Sequence, residues 1–203
     1  MKWSCSLRLV SGFLTTGLML TGLACQLPLM AEEDRRHTEY PEFLTPVASA
    51  QALGVRPYWL GERFKAGTLL FEIAAISRLI DRGSGVGLQL TYSAELGKGS
   101  VAMDLEVYPK QNGGAEAARD LARTAPDSTS RRVKVGRWRG ELFSLPLATR
   151  PVNQLWLFVD VGETIVVARA LSGGPGIPGQ DVNPLIDSER LVWAMQNLRP
   201  YPE

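Results

Sequence analysis

Cysteine is almost absent from this chain, and the two cysteines that it has lie near its N-terminus. Cys5 and Cys25 are the only ones among 203 residues. The residues after Cys25 therefore cannot form an internal disulfide. They also contain no thiol that could act as a nucleophile or bind a metal.

Histidine is equally scarce. His37 is the only one, and it precedes the region in which regular secondary-structure patterns begin. The main part of the chain thus has no imidazole that could act as a general base or bind a metal. Catalysis by a Ser-His-Asp triad is excluded there, and we expect no metal and no cofactor.

An excess of charge of either sign is also missing. The chain has 22 Lys and Arg residues against 21 Asp and Glu residues. If Lys2 and Arg8 are removed with a leader, 22 − 2 leaves 20 basic residues against 21 acidic ones. Nucleic-acid binders usually carry a strong basic excess, so we expect no nucleic-acid partner. Any site for an anion must be local.

The sequence lacks a hydrophobic run long enough to span a membrane comfortably. Residues 1–25 begin with basic residues and continue with an apolar run from Leu9 to about Leu23, which Ser, Thr and Gly interrupt. A membrane span needs about 20 mostly apolar residues, whereas this layout is typical of a secretory signal peptide. We predict a signal peptide over residues 1–24.

The end of this leader, Leu23-Ala24-Cys25, resembles a bacterial lipobox, although Gly22 stands where that pattern usually has Leu. The resemblance implies that Cys25 is lipidated and becomes the mature N-terminus. The protein would then be exported and anchored by lipid in the cell envelope, outside the cytoplasm. Cleavage after Ala24 or Ala31, which would give a secreted soluble protein, is the alternative.

Residues 25–44 mix charges and prolines without periodicity, which predicts a flexible tether. We place a single domain over residues 45–203. Thr45-Pro46 is typical of a helix start, and Gly54 is typical of a helix end. A short helix is therefore expected at the start of the domain.

Strand patterns dominate the chain after this helix. Residues 68–80 form a β-branched and aromatic run that favours a central strand, with a buried helix as the alternative. Residues 86–92 and 101–108 alternate apolar and polar side chains, as half-buried strands do. Residues 113–125 have helix-forming composition and stop before Pro126, so they predict a helix, which is only weakly amphipathic.

The strongest pattern is a hairpin over residues 154–171, in which two apolar runs flank Gly162-Glu163. Both of its faces are largely apolar, which predicts a position inside a sheet that is covered on both sides. A two-residue loop pairs 161 with 164 and therefore Trp156 with Arg169, so we expect a cation–π contact between these two side chains.

A final helix is expected after Asn183-Pro184, with Leu191, Met195 and Leu198 at helical spacing and lying across the hairpin. The order of elements predicts an α+β fold with antiparallel strands. The last hairpin and helix resemble those of PsbP-like and LolA-like envelope domains. The resemblance implies a curved antiparallel sheet with helices packed on it, including the C-terminal helix, in families that mostly bind or tether.

Two motifs could carry chemistry. Residues 174–179 match G-x-G-x-x-G, but Pro175 and Pro178 remove the backbone donors that a pyrophosphate needs, so we interpret them as a surface loop. Asp104 and Glu106 lie two apart on one strand face and could serve as an acid and a base in glycoside chemistry. A solvated strand face explains them equally well.

The densest charge lies in residues 131–139, where no acidic residue occurs. We predict an anion-binding patch formed by Arg131, Arg132, Lys134, Arg137 and Arg139. Val133 and Val135 would point inward from the same strand. The alternative is an exposed edge whose charges discourage pairing between strands and bind nothing.

These observations favour a non-enzymatic, lipid-anchored cell-envelope domain that acts as a binding or interaction module. The expected partners are the membrane, through the N-terminal lipid, and an anionic surface or envelope protein. A soluble exported carrier for a small apolar ligand is the alternative, and a carboxylate-based hydrolase comes third. A deep apolar pocket would favour the carrier, and a cleft that gathers carboxylates would favour the hydrolase.

Overall fold

The computed structural model describes residues 41–83, 85–96, 99–147, 152–172 and 186–202. Glu39–Glu203 form one compact unit. Several predictions concern residues outside the described ranges. They are the signal peptide, Cys25, His37, most of the tether, the glycine-rich motif at 174–179 and the proposed helix cap at Asn183-Pro184.

The described residues contain three helices and ten strands. The helices are α1 (Pro41–Ala52), α2 (Gly114–Thr124) and α3 (Ser188–Met195). The first five strands are β1 (Tyr58–Trp59), β2 (Arg63–Ala66), β3 (Leu69–Arg82), β4 (Gly85–Leu96) and β5 (Gly99–Pro109). The other five are β6 (Thr129–Val135), β7 (Trp138–Pro146), β8 (Asn153–Val161), β9 (Thr164–Ser172) and β10 (Arg199–Pro200).

Eight of the strands form one antiparallel sheet in the order β2-β3-β4-β5-β9-β8-β7-β6. Strands β1 and β10 form a separate two-stranded pair. Neighbouring strands in this sheet are consecutive in sequence, with one exception at its centre, where β5 pairs with β9. The predicted α+β class and antiparallel pairing are confirmed.

Two hydrophobic clusters lie on opposite faces of the sheet because side chains alternate along each strand. The larger cluster contains residues of α1 and α3, together with Leu105 and Leu157 from the sheet centre. The smaller one contains the buried alanines of α2 with Trp156 and Phe158. Helices thus cover both faces of the sheet.

The hairpin over residues 154–171 has the predicted register. Val161 pairs with Thr164 and Trp156 pairs with Arg169. Gly162 has a φ of 66°, as the first position of a two-residue type II′ loop requires. The two strands are buried on both faces and lie inside the sheet, so the prediction of an interior hairpin is confirmed.

Some boundaries and positions differ from the predictions. Helix α1 begins at Pro41 and contains Pro46, so the predicted tether extends four residues too far, over 41–44. The predicted run 68–80 falls almost entirely within strand β3 (Leu69–Arg82), which removes the helix alternative, but β3 is second from an edge and not central.

The two later helices also differ from the predictions. Helix α2 was predicted to be only weakly amphipathic, but it has a distinct buried face formed by alanines and a glycine. These residues are only weakly hydrophobic, which explains why the sequence pattern did not show this face. In α3 the residue that caps the described N-terminus is Asp187, whose side chain accepts a hydrogen bond from the Arg190 backbone N–H.

Candidate functional site

The predicted anion-binding patch lies at one edge of the sheet. Arg131, Arg132 and Lys134 are exposed on β6, which is an edge strand and pairs only with β7 among the described strands. Arg137 lies in the turn between β6 and β7, and Arg139 is on β7. The fold therefore keeps all five cations on one hairpin.

The side chains of β6 divide between two faces as the sequence predicts. Val135 is buried in the larger hydrophobic cluster, and Val133 packs against it. Alternation places Arg132 and Lys134 on the opposite face. Lys134 pairs in register with Arg139, and like charges directly opposite each other destabilise a sheet.

No carboxylate among the described residues lies within 4.0 Å of a charged nitrogen of these five cations. Glu141 lies opposite Arg132 in register, but its carboxylate instead faces α2, 3.4 Å from Arg119 and 3.6 Å from Arg123. Arg131 donates a hydrogen bond to the Ser188 hydroxyl at 3.0 Å, which ties β6 to the start of α3.

A groove of about 710 Å³ runs between β6 and α3. The cationic residues that line it are Arg131, Arg132, Lys134 and Arg190, while Glu189 is the one acidic residue among the described residues of its wall. Arg190 itself pairs with Asp187 at 3.3 Å. The positive charge of the groove therefore comes mainly from β6.

Helix α3 contributes apolar side chains to the same groove, namely Val192 and Trp193. Trp193 is 47% exposed, although tryptophan is usually well buried. Sequence reasoning missed this residue. The available signal was its place in the predicted final helix, off the buried stripe of Leu191 and Met195; Leu198 lies beyond the end of α3.

A second group of charges lies on the face of the sheet that α2 covers, where residues of β3, β5 and β9 come together. Glu106 on β5 has a side chain only 1% exposed. Its carboxylate accepts two hydrogen bonds from Arg82, at 2.6 and 3.1 Å, and one from Arg169 at 2.8 Å. The Tyr108 hydroxyl donates a fourth at 3.0 Å.

These contacts decide the protonation of Glu106. Burial by itself raises the pKa of this carboxyl group, but the hydrogen bonds and charges of Arg82 and Arg169 outweigh burial, so the pKa lies below its usual value. The hydrogen bond to Glu106 raises the pKa of the Arg82 guanidinium. Burial raises the pKa of the Tyr108 hydroxyl. The cluster therefore holds an ionised carboxylate at neutral pH.

Trp156 lies beside both arginines of this cluster. The guanidinium carbon of Arg169 is 4.4 Å from the ring centroid and that of Arg82 is 5.5 Å from it. The predicted cation–π contact between Trp156 and Arg169 is thus confirmed. The Trp156 indole N–H and the Arg169 Nε are both buried and have no hydrogen-bond partner among the described residues.

The solvated strand face suggested for Asp104 and Glu106 is wrong for Glu106. Asp104 is partly exposed and accepts a hydrogen bond from the Thr91 hydroxyl at 2.6 Å. Glu106 lies on the same strand face as Asp104, but it is buried there between Arg82 and Arg169. Neither arginine is near Glu106 in sequence, so no local pattern marked the cluster.

Comparison with known proteins finds no matching family, no matching curated protein and no matching solved structure. The resemblance to PsbP-like and LolA-like domains therefore remains a prediction. Among the described residues, no helix is long and apolar enough to cross a membrane. Within the same ranges, no three His, Cys, Asp or Glu residues are grouped closely enough to hold a metal ion.

Proposed function

We propose that this protein is an exported, lipid-anchored envelope domain that binds an anionic partner through the groove between β6 and α3. The observation that carries the proposal is the set of cations on β6, which form no salt bridge with a carboxylate among the described residues and border an exposed tryptophan. Arginine and tryptophan are the residues most enriched where binding energy concentrates in interfaces.

The arrangement of charge within the fold supports this function over a solubilising edge. The acidic residue nearest in register, Glu141, pairs with α2, and Lys134 faces Arg139. An anionic partner would relieve this repulsion, whereas water and salt only screen it. Binding is therefore expected to strengthen as the salt concentration falls.

The two other functions receive less support. A carrier needs an enclosed apolar cavity, whereas the groove is open and bordered by charges. A hydrolase that uses Asp104 and Glu106 needs a carboxylate free to reach a substrate. Glu106 instead accepts four hydrogen bonds from three residues.

We also propose that the sheet is curved. Helix α3 contacts both β2 and β6, which are the two edges of the eight-stranded sheet. A flat sheet of that size is about 33 Å wide, at roughly 4.7 Å between neighbouring strands. A helix of eight residues is about 12 Å long. Contact with both edges supports a sheet that bends toward α3.

Binding can be tested with two anionic probes, phosphatidylglycerol vesicles and immobilised polyglutamate, using the fragment 39–203 after circular dichroism has shown that it folds. We expect at least one probe to retain the fragment at 0.1 M salt and to release it at 1 M, since the Debye length falls from about 10 to 3 Å. Neutral phosphatidylcholine vesicles should not retain it.

The chain offers a closely matched pair of variants. Arg132 and Lys134 lie two apart on the edge strand β6, and Arg63 and Lys65 lie two apart and are also exposed on the opposite edge strand β2, where Arg63 pairs with Glu72 at 2.9 Å. R132Q/K134Q should lose most of the retention, because each cation is worth about 1 kcal/mol at an anionic membrane. R63Q/K65Q should bind like the wild type. Equal binding by both variants, or none by the wild type, would reject the proposal.

A further inference from the structure

Among the described strands, β6 has an outer edge that is free and regular. Strand β6 pairs with β7 through seven consecutive residues without a register shift. At the opposite side of the sheet β2 covers only Leu69–Glu72 of β3, and the pairing of β3 with β4 shifts twice between Ile73 and Arg78. Irregular pairing of that kind protects an edge from additional strands. Within the described part of the chain, β6 carries no such protection except charge.

That charge discriminates between possible partners. A second copy of β6 would bring arginines and a lysine against the same cations, and like charges directly opposite are destabilising. An acidic strand would instead place carboxylates beside Arg132 and Lys134. The cations thus oppose self-association and admit a partner of opposite charge, as interfaces with repulsive elements do.

The two walls of the groove differ in chemistry, and the difference follows the alternation of a strand. On one face of β6 lie Arg132 and Lys134. On the other face lie Val133 and Arg131, whose guanidinium donates a hydrogen bond to the Ser188 hydroxyl of α3. Helix α3 adds Val192 and the exposed Trp193 there, with Glu189 and Arg190 beside them. An added strand would present alternate residues to these two environments. The added strand that fits this edge therefore has acidic and apolar residues in alternation.

We propose that the partner is an extended acidic segment of another protein, which adds to the outer edge of β6 as a ninth strand, with acidic side chains toward Arg132 and Lys134 and apolar ones toward Trp193. This inference rests on the proposed anion binding and names its ligand class. Backbone hydrogen bonds supply affinity in such strand addition, and alternate side chains supply specificity.

The test uses the full chain in neutral phosphatidylcholine nanodiscs and a fluorescein-labelled peptide with four Glu-Val repeats. Binding is measured by fluorescence anisotropy at 0.1 M salt. A control peptide has the same composition arranged as four glutamates followed by four valines. We expect the dissociation constant of the control to be at least tenfold higher, because its charges cannot stay on one face of a strand.

Two N-methylated forms of the repeating peptide test the backbone bonds. All glutamate N–H groups of a strand point to one edge and all valine N–H groups to the other. Only one of these edges can pair with β6. We therefore expect one of the two methylated forms to bind at least tenfold more weakly than the unmethylated peptide, although its charge is unchanged. W193A and R132Q/K134Q should each weaken binding at least fivefold, and R63Q/K65Q should not.

The outcomes separate the two proposals. Suppose that the control peptide and both methylated peptides bind as tightly as the repeating peptide, and that R132Q/K134Q binds none of them. Anion binding then stands and strand addition is wrong. Strand addition is also wrong if anionic vesicles bind the fragment and no peptide binds the full chain, since the partner is then a membrane surface. If neither vesicles, polyglutamate nor peptide bind, both proposals are wrong.

Discussion

At the scale of single residues, the arrangement around Glu106 shows how burial and charge compete. Moving a carboxylate out of water is unfavourable unless hydrogen bonds and opposite charge replace the water. Two guanidinium groups and a tyrosine hydroxyl do so here. Arg82 and Arg169 have side chains 21% and 22% exposed, so they hold part of their hydration while they neutralise Glu106.

We predict that E106Q lowers the free energy of unfolding by about 3 kcal/mol at pH 7, because two partly buried arginines lose their counterion. The lowered pKa of Glu106 means that its stabilising effect is complete above the ordinary glutamate value, about 4.3, and is lost as the pH falls below it. The difference in free energy of unfolding between wild type and E106Q, measured by urea unfolding, should therefore become smaller from pH 6 to pH 3.

The informative quantity is the difference in free energy of unfolding between wild type and E106Q, because the other carboxylates titrate in both proteins and their effects cancel. E163Q serves as a control, since Glu163 is exposed in the hairpin loop and should change stability by less than about 0.5 kcal/mol. A gap between wild type and E106Q that stays constant with pH would show that the charge of Glu106 does not stabilise the fold.

At the scale of elements, α2 is held against the sheet by close backbone contacts. A Cβ atom at Gly85 would lie 2.1 Å from the Gly114 backbone nitrogen, and one at Gly87 would lie 2.5 Å from the Tyr108 ring. The buried face of α2 consists of Gly114, Ala115, Ala118 and Ala122. Small residues on the helix and glycines on β4 together allow this approach.

We predict that G85A destabilises the fold by about 1–3 kcal/mol, because the atoms it meets are backbone and cannot rotate away. Amide hydrogens of α2 should exchange faster while those of α3 stay protected. G136A is the control: Gly136 has a φ of 57° and no atom within 4 Å of its Cβ position, so it should cost about 1 kcal/mol through backbone strain alone. Unchanged protection of α2 in G85A would contradict this account.

At the scale of the whole molecule, the proposed anchor bears on where the domain acts. Cys25 lies outside the described residues, and its lipidation remains a prediction from the leader. We expect the mature protein in a membrane fraction to begin at Cys25 and to carry a diacylglyceryl mass. C25A should move it to the soluble fraction. A mature N-terminus at Glu32, or an unchanged distribution of C25A, would reject the anchor.

Local patterns in the sequence determined most of the elements. Alternation specified the strands, and a two-residue loop set the register of β8 and β9, including the contact of Trp156 with Arg169. Both signals act over a few residues, where the side-chain period and turn geometry leave little choice. Helix ends were less well determined, and Pro46 lies inside α1 and not at its start.

Tertiary structure decided what lies beside what. The pairing of β5 with β9, about 60 residues apart, brings Arg169 to Glu106, and the packing of α3 brings Trp193 to β6. The entropy of closing a loop depends only weakly on its length, so several distant pairings are comparable in cost and no local pattern selects one. Burial of both sheet faces at once selects among them, and that is a property of the whole chain.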